Sequence, residues 1–77
     1  MNYSVDVVEL RKAMAEKGIN NITQLANISG VDRNTISKIL NKKYRPSTLV
    51  MEKIVRALEL QPSRAGIIFF MPNLRNA

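Results

Sequence analysis

Apolar residues recur along this chain at spacings of three and four, interrupted at short intervals by residues that begin or end helices, and the pattern predicts five short helices. The first runs from about Val5 to Lys17 (5–17). Val7, Leu10 and Met14 make its buried stripe with Val8 flanking, and Gly18 supplies a left-handed residue after the last turn. The second spans 22–28. Asn21 caps it, Gln24 stands where a capping box needs it, and Ile22, Leu25, Ala26 and Ile28 form its apolar side. Gly30 closes that helix, and Asp32 caps a third over 33–40 that turns Ile36, Ile39 and Leu40 inward. Two short helices joined by a Gly-containing turn of a few residues form a helix-turn-helix unit. Ser47, after Pro46, opens a fourth helix over 48–59 with Val50, Met51, Ile54, Val55 and Leu58 on its apolar face and Glu52 able to pair with Arg56. Pro62 opens a fifth over 62–70, and residues 71–77 read as a fraying tail.

The outer side of the third helix changes the picture from fold to chemistry. Arg33, Asn34, Ser37, Lys38 and Asn41 share an arc of about 140° that holds no aliphatic residue. Two cations, two amides and a hydroxyl are groups that bond to base edges or phosphates, although the same mixture is also ordinary solvated surface. Local charge favours the first reading. Residues 31–45 hold Arg33, Lys38, Lys42, Lys43 and Arg45 against Asp32 alone, five cations to one acid, so +4 of the chain's net +6 lies here.

Composition narrows the remaining classes. Seventy-seven residues make one domain, 1–77, with a small core. With no cysteine and no histidine, the chain lacks disulfides, thiolate ligands and the commonest general base, and its six acids form no cluster; neither an enzyme nor a metal or cofactor site is expected. The positive balance favours a polyanion. The longest apolar run, Ile67 to Met71, is far too short to span a membrane, and the first residues do not resemble a secretory signal, so a cytoplasmic (bacterial, nucleoid-associated) protein is expected. Ile67, Ile68, Phe69, Phe70 and Met71 are more apolar residues than one helix side can bury in so small a domain. Two or three should complete the core against the first helix, and the rest are candidates for a dimer seam. An extended arm pairing with a partner's arm is the alternative. Arg11 either pairs with an acid of another helix or is solvated.

The run from Asn21 to Leu58 resembles the Cro/repressor (XRE-like) family of helix-turn-helix regulators. The resemblance rests on Leu-Ala at 25–26, Ser-Gly-Val at 29–31, Thr-Ile-Ser at 35–37, Arg-Pro-Ser at 45–47 and Ala-Leu at 57–58. It implies an all-α, five-helix lambda-repressor-like domain in the short, phage Cro-like form. It also implies base contacts from Arg33, Asn34 and Lys38, with Asp32 and Ser37 at their edge, and phosphate contacts from Asn21, Thr23, Asn41, Lys42, Lys43, Tyr44 and Arg45. Two positions depart from the pattern. Ile22 stands where many relatives carry a phosphate-binding glutamine, and Asn41-Lys42 replaces the usual Asn-Gly, so either Lys42 or Asn41 must take the left-handed conformation.

The expected function is therefore a sequence-specific regulator of transcription, a repressor that binds duplex DNA at a palindromic operator as a homodimer. A chain of this length is expected to encode no sensor domain. The alternatives are an antitoxin whose apolar segment, within residues 63–74, grips a protein partner, or an adaptor that has kept the fold without the DNA role. A basic membrane-surface peptide fits poorly, because cations and apolar residues divide among several capped helices.

Overall fold

Each helix begins at a residue whose local chemistry ends the preceding segment. The computed structural model describes residues 3–72. Within it the chain runs β1 (Tyr3–Ser4), α1 (Val7–Glu16), α2 (Ile22–Ser29), α3 (Arg33–Leu40), α4 (Thr48–Leu58), α5 (Pro62–Phe69) and β2 (Met71–Pro72). The fold is the expected all-α helix-turn-helix arrangement, with one short antiparallel ladder added at the chain ends, Tyr3 opposite Pro72 and Ser4 opposite Met71. That ladder corrects the expectation of a tail fraying from residue 71; residues 73–77 lie outside the described residues. Two-residue strands carry no hydrophobic period, so the pattern had nothing to reveal them.

The start of α1 is set by Asp6, not Val5. The Asp6 carboxylate accepts from the Glu9 amide at 3.1 Å, while its own N–H donates to the Ile68 carbonyl at 2.7 Å. Val5 therefore stays outside the helix with its side chain in the core. At the other end the Ile19 N–H reaches the Met14 carbonyl and the Gly18 N–H the Ala15 carbonyl, each at 2.9 Å, with Gly18 at φ +72°. These paired bonds satisfy carbonyls that the last turn leaves free and drive Ile19 inward.

α2 packs against both α3 and α4, and α1 packs against α5. Leu10, Leu25, Ile36, Ile39, Ile54 and Ile68 are the fully buried side chains around which the helices close. Removing one by a Leu→Ala change, at Leu25 for example, costs about 2–5 kcal/mol. Val5, Ala13, Met14, Ile19, Val31, Leu40, Leu58 and Phe69 complete the cluster, and Val50, Met51 and Val55 flank it.

Three expectations need correction. Val8 is 64% exposed, because two residues from Leu10 it points about 200° around the helix. Ile28 is also exposed, over a hollow between the end of α2 and α4 that Lys53 and Arg56 line. Among the described residues Glu52 and Arg56 do not pair; the ion pairs are Glu9–Lys12, Lys17–Glu59 and Glu16–Arg64. Arg11 is exposed and takes no part in them. The four apolar residues of α5 and its cap divide as expected, Ile68 and Phe69 into the core, which removes them as seam candidates, and Ile67 and Phe70 outward at 57% and 48% exposure.

Candidate nucleic-acid interface

The turn between α2 and α3 is what lifts one face of α3 out of the core. Gly30 adopts φ +76°, and its N–H returns to the Ala26 carbonyl at 2.9 Å, so the chain leaves α2 at a sharp angle without strain. The Ser29 hydroxyl donates to the Leu25 carbonyl at 2.6 Å and accepts the Val31 N–H at 3.2 Å, which turns Val31 into the core. Asp32 then restarts the helix, one carboxylate oxygen accepting from Asn34 N at 3.0 Å and Thr35 N at 3.4 Å. With Ile36, Ile39 and Leu40 buried, the helical period leaves Arg33, Asn34 and Lys38 exposed and Ser37 half-buried on the outside. Asn41 is tied to that face, its amide nitrogen donating to the Ser37 hydroxyl at 3.4 Å.

The exit from α3 presents the remaining cations. Lys42 takes φ +59°, while Asn41 keeps an ordinary φ of −95°. The Lys42 N–H bonds the Ile39 carbonyl at 3.0 Å and the Lys43 N–H bonds the Lys38 carbonyl at 2.8 Å, the same paired closure that ends α1 but with lysine where glycine stood. Beyond it Tyr44 packs against the core, Pro46 is buried, and Lys43 and Arg45 are exposed. Lys42, Lys43, Tyr44 and Arg45 border a shallow hollow with Tyr3, Ser4, Val5 and Phe69. The nearness of the terminal ladder to this basic loop carried no signal in the sequence, because it depends on a pairing between the two ends of the chain.

A second hollow lies between the start of α2 and the outer face of α3, lined by Ile22, Asp32, Arg33, Asn34 and Ser37. At its α2 side Asn21 caps the helix, accepting from Gln24 N at 2.9 Å, and the Gln24 side-chain carbonyl accepts from Asn20 N at 2.6 Å. The reciprocal bond thus falls one residue before the cap. Asn21 takes only one of the free amides of that first turn, and Thr23 is exposed beside it.

Ion pairs and helix caps engage most of the acids. Glu9, Glu16 and Glu59 pair with Lys12, Arg64 and Lys17, and Asp6 and Asp32 cap helices. Arg64 hydrogen-bonds Glu16 and Lys17 hydrogen-bonds Glu59, and each contact holds its carboxyl below the ordinary glutamate range. Arg33, Lys38, Lys42, Lys43 and Arg45 take part in none of these pairs and remain a concentrated positive surface along α3 and its exit. Such a surface attracts a polyanion and, unlike paired charges, keeps its donors available to it. Among the described residues no three of His, Cys, Asp and Glu lie together as a metal site, and no helix is long and apolar enough to cross a membrane.

A family model described as the Cro/C1-type HTH DNA-binding domain matches residues 9–63, from the first turn of α1 to the start of α5. The terminal ladder and the apolar end of α5 lie outside that match. No curated protein and no solved structure matches the chain.

Proposed function

Since this chain belongs to the Cro/C1-type helix-turn-helix family of DNA-binding regulators, we propose that it is a transcriptional repressor that binds a palindromic operator as a homodimer with α3 in the major groove. The observation that carries the reading is the outer face of α3, free of aliphatic side chains and bearing cations that form no ion pair among the described residues.

On this reading Arg33 forks to the O6 and N7 of guanine, Asn34 pairs with the N6 and N7 of adenine, and Lys38 reaches a further guanine edge. Ser37 and the second carboxylate oxygen of Asp32 work at the margin of that set. Asn21 and Thr23, with the free amides of α2, hold one phosphate. Asn41, Lys42, Lys43, Tyr44 and Arg45 hold the backbone on the other side of α3. Ile67 of α5, Phe70 after it and Met71 of β2 meet their counterparts in a second copy, and the two α3 helices then enter successive grooves about 34–36 Å apart. Occupying a promoter in this way blocks polymerase.

Selection from a random duplex pool followed by footprinting tests the proposal. The expected result is a symmetric consensus with half-site centres one helical turn apart, and repression of a reporter that carries it. Equal binding to all duplexes contradicts base reading, and a single unpaired half-site contradicts the dimer.

A further inference from the structure

Ile22 has no part in the contacts proposed above. It is the first residue of α2, directly after the capping Asn21, and part of it packs against the core cluster. The remainder forms a wall of the hollow whose other walls are Asp32, Arg33, Asn34 and Ser37. An aliphatic side chain thus stands among a carboxylate, a guanidinium, an amide and a hydroxyl, at the mouth of the surface that faces DNA in the proposed complex.

Such a side chain cannot bond a phosphate or the polar edge of a base. In the major groove one base alone offers an apolar group, thymine, through its C5-methyl. We infer that Ile22 is a specificity residue: one thymine of each half-site seats its C5-methyl in this hollow, against Ile22 and beside the base pair that Asn34 contacts. The inference rests on the DNA-binding reading above. Isoleucine suits the task because its branched Cβ leaves one dominant rotamer in a helix, so little freedom is lost when the methyl docks. Its contact with the core fixes that rotamer further.

The test changes the DNA first and leaves the protein intact. In the selected operator each thymine of one half-site is replaced in turn by deoxyuridine, which removes the methyl and keeps every hydrogen-bonding group. Affinity is then measured at fixed salt for the unaltered protein, Ile22→Val and Ile22→Ala. One replacement is expected to weaken the unaltered protein about fourfold, the equivalent of one buried methyl. Ile22→Val should keep most of that difference and Ile22→Ala should abolish it. If sequence preference is intact but every deoxyuridine duplex binds as the parent does, or if Ile22→Ala shows the same methyl effect, the inference is overturned and the function stands. If the protein prefers no sequence at all, the reading of the function fails and takes this inference with it.

Discussion

Arg64 on α5 grips Glu16 in the last turn of α1 with both arms of its guanidinium, the second contact at 2.8 Å. The two residues are separated by 48 positions in the chain, and their pairing fastens the helix that carries Ile67 and Phe70 to the body of the domain. The hydrogen bond from Arg64 holds the Glu16 carboxyl below its ordinary value of 4.5. A carboxyl whose folded-state value is depressed contributes stability that is present in full above its unfolded value and is lost as pH falls through the folded one. Arg64→Ala should therefore lower stability slightly at pH 7 and reduce its fall below about pH 4.5. Urea titrations of both proteins at pH 7 and pH 3 check this: the difference between them should shrink in acid.

Lys42 holds a left-handed conformation at φ +59° that glycine adopts without cost. Lys42→Gly should therefore stabilise the fold by about 1 kcal/mol, the relief of strain exceeding the added freedom of the unfolded chain. Thermal unfolding measures that gain. The same change removes a cation from the loop proposed to hold the DNA backbone, so affinity for every duplex should fall and the salt dependence of binding should become shallower by about one charge. A variant that is more stable and binds less tightly separates the two roles of this position.

Asp32 combines a structural duty with a proposed marginal role in reading. Asp32→Ala removes the acceptor for the Asn34 and Thr35 amides and should cost about 1 kcal/mol. Asp32→Asn keeps an acceptor oxygen and should retain most of the stability. Any change of base preference in Asp32→Asn then reports on DNA contact and not on loss of the cap. Denaturation and site selection on the two variants make the distinction.

Most of the fold was legible because helix period and capping are local properties. Leu25, Ile36, Ile39 and Leu40 declare their buried sides by spacing, and Asn21, Asp32, Ser47 and Gly30 mark where the helices around the turn start and stop. The polar arc of α3 was legible for the same reason. What escaped is set by partners distant in the chain. Spacing defines a stripe but not how far neighbours cover it, so Ile28 stands exposed. Local spacing offered Glu52 to Arg56, whereas the pairs that form across helices, Glu16 with Arg64 and Lys17 with Glu59, depend on how the helices cross. The choice between Asn41 and Lys42 for the left-handed position was open in sequence. It is decided by the two backbone bonds that close α3, which require that conformation one residue later than Asn41.

The exposed end of α5 gives the dimer proposal its test. Ile67 and Phe70 lie outward, and Phe70 stacks edge-on against Tyr3 with ring centres 6.0 Å apart. Ile67→Glu should leave the fold intact, since that side chain contributes little to the core, and should shift sedimentation from dimer to monomer. Operator affinity should drop steeply while binding to a single half-site changes little. A variant that remains dimeric locates the seam elsewhere.

The most direct measurement of the central claim compares Arg33→Ala with Lys43→Ala against the selected operator and its single-base variants at two salt concentrations. In the proposed complex Arg33 lies on the base-facing side of α3 and Lys43 on the backbone side of its exit. Arg33→Ala should erase preference at one base pair at a cost of about 1–3 kcal/mol, whereas Lys43→Ala should weaken all duplexes alike and lower the salt slope by about one. If the two substitutions act identically, each weakening every sequence by the same factor, α3 holds DNA without reading it and the account is wrong.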